Sequence, residues 1–208
     1  MRKVLELGGV LAAVVLIAFG IGAIATGVNG RSTVKDNLKQ EQISGSPDMT
    51  PAEIKKTAAA AGLSSDIDLP TCTVAGKQGS DGESARCFAS YMRIHALEAT
   101  GGKTYSQLPR FATADGKGTD DEKAALKDAK GKPVDNGIRS LWINETALST
   151  ALNTAYMAER ISVFGIVTGI AMLLAGIGLG ILSLVVFGQG RAARKPDDAD
   201  AAGPPATA

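Results

Sequence analysis

The side chains best equipped for chemistry are few: a single histidine, His95, and two cysteines, Cys72 and Cys87. A three-histidine zinc centre and an iron centre held by two histidines and a carboxylate both need more imidazoles than one chain of this sequence supplies. A Ser-His-acid triad would have to use His95, which falls on the packed face of an expected helix and reads as a partly buried histidine bonded to a neighbour. No glycine-rich loop leads into a helix with lysine and Ser/Thr in phosphate-cradling order. Asn144-Glu145-Thr146 matches a glycosylation sequon, informative only in a eukaryotic secretory route, and it lies mid-helix. No catalytic residue, metal ligand or cofactor is assigned, and the residues point away from an enzyme.

The cysteines read differently. Fourteen residues rich in Gly, Ser and polar groups separate Cys72 from Cys87, a spacing that suits a loop-closing disulfide in an oxidising compartment. The alternative is a pair of free thiols in a cytosolic domain, which requires the inverted topology.

The elements that hold these residues are set by charge. No charged residue occurs from Leu7 to Val28 or from Ile161 to Gly190, and about 20 apolar residues suffice to cross a hydrocarbon core. Two transmembrane helices are therefore expected, at 7–28 and 161–187. Between them, residues 29–160 carry 17 basic and 17 acidic side chains. That neutral balance offers no phosphate-tracking stripe, so nucleic acid is not an expected partner.

Arg2 and Lys3 precede the first span, and Arg191, Arg194 and Lys195 follow the second. Basic residues flanking spans stay in the cytoplasm. The expected arrangement is a cytoplasmic N-terminus (1–6), an extracytoplasmic domain (29–160), a disordered cytoplasmic tail (188–208), and residence in the plasma (inner) membrane. Ala23-Ile24-Ala25 also resembles a signal-peptide cleavage site, so a cleaved leader is the alternative to an uncleaved anchor.

Within the outer domain, residues 30–42 prolong the first helix and Ser44-Gly45-Ser46-Pro47 breaks it. Thr50-Pro51-Ala52-Glu53 predicts a capped helix over about 51–61, with Glu53 completing a capping box and Gly62 ending it. Residues 69–74 read as extended or a short strand. A second helix is expected over about 83–100, stopped by Gly101-Gly102. Residues 112–133, dominated by Gly, Asp and Lys, predict a mobile loop, with one exposed helix over 120–130 as the alternative. From Gly137 the spacing predicts a continuous helix into the second span, whose outer part, 137–160, forms a stalk roughly 35 Å tall.

The fold class expected is mainly α: a transmembrane helical hairpin with a small disulfide-stapled helical extracytoplasmic domain packed on a long stalk helix. Gly165, Gly169, Gly176 and Gly180 fall close to one face of the second span, and Gly9/Ala13 and Ala18/Gly22/Thr26 offer small residues in the first. Such faces let backbones approach, by packing the two spans together or by docking a partner's helix. Phe88, Tyr91, Trp142 and Tyr156 mark a possible ligand or partner surface between the stapled helix and the stalk.

Several blocks carry a family likeness: VLELGGVLAAVVLIAFGIGAI (4–24), SPDMTPAEIK (46–55), LPTCTVAGK (69–77), ARCFASYMRIHALEATGG (85–102) and ETALSTALNTAYMAE (145–159). They resemble a family of actinobacterial two-span membrane proteins commonly labelled aromatic ring-opening dioxygenase, small alpha subunit; residues 111–133 depart from it. The resemblance implies a membrane location and, through its label, extradiol ring opening at an iron centre, for which His95 is one histidine short. The expected function is a non-enzymatic envelope scaffold or accessory subunit of a membrane complex, with protein partners at the outer domain or the glycine face. A module sensing or carrying a small ligand is the alternative, and a ring-opening subunit the third reading.

Overall fold

The computed structural model describes residues 2–192, and the side chains of 4–186. The described chain is mainly α, with four helices: α1 (Arg2–Gln40), α2 (Pro51–Ala60), α3 (Gly82–Ala99) and α4 (Gly137–Ala192). A short 3-10 turn spans Tyr105–Gln107. Among the described residues there is no strand, only isolated bridges. α1 starts at Arg2, ahead of the expected span, and α4 continues past the expected end at 187. The rest of the tail, 193–208, lies outside the described residues. The chain divides into two units, Gly30–Ile161, and Met1–Asn29 with Ser162–Ala208.

The second of these units is apolar. α1 and α4 are both long and apolar enough to cross a membrane, and only 11% and 17% of their most apolar windows is buried. A soluble core helix of that composition would be mostly covered, because apolar area is driven out of water. Here Leu7, Leu11 and Phe19 on one helix and Phe164, Leu174 and Ile181 on the other are all more than half exposed.

Small residues set the pairing inside this unit, at steps of seven along α4 and at steps of seven, seven and four along α1. Gly27 lies against Ser162, Gly20 against Gly169, Ala13 against Gly176 and Gly9 against Ser183. Rising numbers on one helix meet falling numbers on the other, so the segments run antiparallel. A step of seven keeps the same seam facing a partner along its length.

The unit 30–161 is built on local signals. Thr50 caps α2 by accepting the Glu53 N–H at 3.3 Å, with Pro51 at the first helical position. Glu53 does not close the expected capping box; its carboxylate pairs with Lys56 at 2.7 Å. Gly62 follows α2 with φ +64°, a left-handed conformation that costs other residues about 1 kcal/mol or more. α3 is capped by Asp81, whose side chain accepts the Ser84 N–H at 2.8 Å while Ser84 Oγ accepts the Asp81 N–H at 3.1 Å. That Ser84 N–H holds the Asp81 carboxyl below its ordinary range.

Two apolar clusters form the core. Ile54, Val74, Tyr91, Ile94, Leu97 and Trp142 lead one. Leu38, Ala85, Ala89 and Leu152 form the other, and Phe88 packs against both. The stalk part of α4 thus supplies a side chain to each cluster.

Residues 69–74 form no strand; Cys72 lies at a bend, and the next residue, Ala75, makes an isolated bridge to Gly45. Residues 111–136 form no helix and are tied together by backbone bonds. Phe111 exchanges both backbone bonds with Thr119 at 2.9 Å, Ala112 N–H reaches Val134 O, and Val134 N–H reaches Leu126 O. Asp128 Oδ1 accepts the N–H groups of Lys130 and Lys132 at 2.9 and 2.8 Å. The aspartates that made this stretch look merely polar close its turns, and Phe111 and Ala125 are buried beneath.

Candidate functional site

The stalk approaches α3 because the face α3 presents is small: Ala85 and Ala89 are 1% and 3% exposed. Along α4 the packed residues recur at steps of seven, Glu145-Leu152-Glu159 and Trp142-Ser149-Tyr156. Two of them are buried carboxylates, which burial penalises unless charge and hydrogen bonds compensate.

Each carboxylate is compensated. Glu159 accepts the Gly82 N–H at 2.5 Å and the Arg31 Nε–H at 2.9 Å. It therefore ties the first turn of α3, with its uncompensated N–H groups, to α1 and α4. Glu145 accepts the Ser149 hydroxyl at 2.8 Å and the Thr146 hydroxyl at 3.3 Å, and Arg93 stands 3.6 Å away. The same Arg93 guanidinium lies 4.3 Å over the Trp142 ring.

Gly82 is the contact that makes the lower tie possible. A Cβ there would sit 2.7 Å from Tyr156 Cα and 2.9 Å from Glu159 Oε2. We expect Gly82→Ala to cost about 1–3 kcal/mol through overpacking. Thermal unfolding of the full chain in detergent reads this as a lower Tm, and an unchanged Tm would show that the contact carries no stability.

Arg93 also separates two open grooves. One, about 520 Å³, runs along the stalk between Ser90 and Arg93 of α3 and Glu145, Ser149, Thr150 and Asn153 of α4. The other, about 540 Å³, lies toward Asp68, Ile94 and Thr104. The hydroxyls and amide in the first groove are already engaged. Thr150 donates to Thr146 O, Asn153 to Ser149 O and Thr154 to Thr150 O, at 2.7, 2.8 and 2.8 Å.

The outward face of the stalk is its least expected feature. From Ser140 to Ala158 the only charged residue is Glu145, and it is 6% exposed. At the chain's own average of 21% charged residues, about four would be expected in such a stretch. Leu141, Ile143, Leu148 and Met157 are instead 41–64% exposed. Charge-poor surface with exposed apolar side chains marks contact surfaces.

The aromatic residues expected to line a ligand surface do not form one. Tyr91 is fully buried and donates its hydroxyl to Cys72 O at 2.6 Å, and burial raises its phenol pKa. Trp142 is 5% exposed in the same cluster, and Phe88 fills the space between clusters. Tyr156 sits apart, with Arg86 and Arg160 over its ring at 4.7 and 5.1 Å. Packing rather than a cavity brings the first three together.

Cys72 and Cys87 are joined in a disulfide. His95 is partly buried and bonded, with Nε2 3.2 Å from Asp48 and Nδ1 3.4 Å from Glu98. These carboxylates sit on opposite ring nitrogens and do not converge. Among the described residues no three metal-ligating side chains are grouped to hold an ion.

Of the four glycines singled out in the second span, Gly169 and Gly176 make the close contacts. Gly165 and Gly180 stand at ordinary distances of 3.6 and 3.5 Å, and Gly22 in the first span faces nothing within 4 Å. Arg93 and the bare stalk face were not singled out from sequence. Their signal was the near absence of charge over 140–158. The chain matches no protein-family model, no curated protein and no solved structure.

Proposed function

We propose that this chain is a membrane-anchored, non-enzymatic docking protein of the cell envelope, with the uncharged face of the α4 stalk as its docking surface. In this reading α1 and α4 cross the membrane, both termini are cytoplasmic, and residues 29–160 face outward. The exposed apolar side chains of the two helices support the membrane placement. The basic residues flanking the spans support the direction, as does a disulfide suited to an oxidising compartment.

One observation carries the docking role: a helix of 19 residues, Ser140–Ala158, with no exposed charged side chain. A helix facing only water has no reason to exclude charge, since charged side chains favour solubility. The polar groups on this face, of Thr150, Asn153 and Thr154, bond to their own helix. They leave a surface for packing rather than a cage for a small polar ligand.

A photocrosslinking residue at Thr150 of the full chain, in its native membrane, is expected to give one protein adduct of defined mass. The same residue at exposed Asp121 is expected to give none. Absence of an adduct at Thr150, or equal adducts at both, would sink the docking role.

A further inference from the structure

We infer that the occupant of the stalk face is a second copy of this chain, packed stalk to stalk in parallel; the inference rests on the docking role proposed above. Outside the packed rows of Trp142, Glu145, Ser149, Leu152, Tyr156 and Glu159, and from the rim of the α3 groove outward, the stalk carries Ile143, Ala147, Thr150, Thr154, Met157 and Ile161, spaced alternately by four and three residues. All six are exposed, with Ile143, Met157 and Ile161 at 52%, 64% and 65%. This is the step of a coiled-coil seam, running about 27 Å along the helix. Thr150 and Thr154 donate their hydroxyls to the backbone of their own helix, so they offer methyl groups to a neighbour.

Charge selects the copy over an unrelated partner. Two copies anchored by the same helices in one membrane stand parallel, and their two-fold axis opposes each seam residue to itself. Any charge on the seam would meet its own duplicate, so a self-pairing helix must be charge-free there. A different partner imposes no such rule, and its specificity would gain from complementary charge. The nearest cations at the two ends are diverted: Arg139 lies 4.1 Å over the Tyr105 ring, and Arg160 pairs with Glu83. Arg93, which lines the same groove as Thr150, Thr154 and Met157, is held beside Glu145 and over Trp142, and the seam itself carries no charged side chain.

The test is cysteine crosslinking of the full chain in native membranes, with Thr150→Cys and Met157→Cys on the seam. Leu148→Cys, also exposed at 49% but off the four-three seam, is the control. Mild oxidation is expected to give at least tenfold more disulfide-linked dimer at the two seam positions than at Leu148. Adding Met157→Glu to Thr150→Cys is expected to abolish that dimer, and the exposed site leaves the fold intact. Equal dimer yields at all three positions, or a dimer unaffected by Met157→Glu, would overturn the inference. A Thr150 adduct of defined mass with a different protein, without dimer, overturns the second copy and leaves the docking role standing. Neither dimer nor adduct overturns both.

Discussion

Replacing Cys72 and Cys87 together by alanine is expected to destabilise the unit 30–161 by about 3 kcal/mol, the loop-entropy value for closing some 15 residues. The disulfide joins positions separated by 15 in sequence and holds the arm around Cys72, whose far end is tied by Gly76 N–H to Gly45 O at 2.9 Å and by Gly45 N–H to Lys77 O at 3.0 Å. Val74 N–H reaches Met49 O at 3.3 Å, Tyr91 donates to Cys72 O at 2.6 Å, and the Val74 side chain is buried. Without the covalent tie those contacts must offset the arm's conformational entropy, roughly 1–2 kcal/mol per residue. Loss of the arm also uncovers the cluster that holds Tyr91 and Trp142. Trp142 is the only tryptophan in the chain, so its fluorescence reports directly on that cluster. The double variant is expected to melt about 10 °C lower by this probe, and reduction of the unaltered chain should move the transition equally. A transition that stays in place with both thiols titrated free would mean that packing alone secures the arm.

How much of this was legible depended on whether a residue's partner was near in sequence. The Thr50 cap and the stop at Gly62 were readable because both are completed within a few residues. The start of α3 was nearly placed, but its Asp81–Ser84 cap was hidden in a Gly/Ser-rich turn. Glu53 had the right type and position for a capping box, yet a lysine three residues on competed for its carboxylate. The segment 111–136 misled for a physical reason. Its arrangement comes from backbone bonds that pair Phe111 with Thr119, and Val134 with Ala112 and Leu126, and no periodicity records such bonds. Phe88, Tyr91 and Trp142 were correctly placed close together, but composition cannot distinguish a cavity lined by aromatics from a core filled by them.

The stalk shows the same division. Its helical extent was written in the spacing from Ile138 onward, whereas the role of Glu159 depended on Gly82 and Arg31, neither near it in sequence. Two buried carboxylates on the packed side and no exposed charge on the outer side give α4 two unlike faces. One side binds its own domain through specific partners, and the other is the surface to which the docking proposal assigns a partner.

On the proposed membrane reading, the apolar unit poses that question again in a setting where burial from water offers no help. Replacing Gly169 by leucine is expected to separate the α1 and α4 segments. A Cβ on Gly169 would lie 2.7 Å from Gly20 O and 2.9 Å from Ile24 N, and one on Gly20 would lie 2.8 Å from Gly169 O. These are backbone atoms of a helix, which cannot turn aside as a side chain can. Even alanine at either position is expected to cost about 1–3 kcal/mol. The two alanines together should cost less than their sum, because one increase in helix separation relieves both clashes. Leucine extends well beyond that first carbon and removes the close approach on which pairing in lipid depends. The readout uses the full chain carrying Ala13→Cys and Gly180→Cys, since a Cβ on Gly180 would stand 3.5 Å from that of Ala13, within disulfide reach. Oxidation should link this pair efficiently, and adding Gly169→Leu should cut the yield at least tenfold. Gly178→Leu is the matched control, because a Cβ at Gly178 meets nothing within 4 Å. Equal losses from the two leucines would mean that bulk anywhere on the helix disturbs the pair. Loss confined to Gly169 assigns the pairing to the seven-residue seam, and leaves the open side of α4 free of that task.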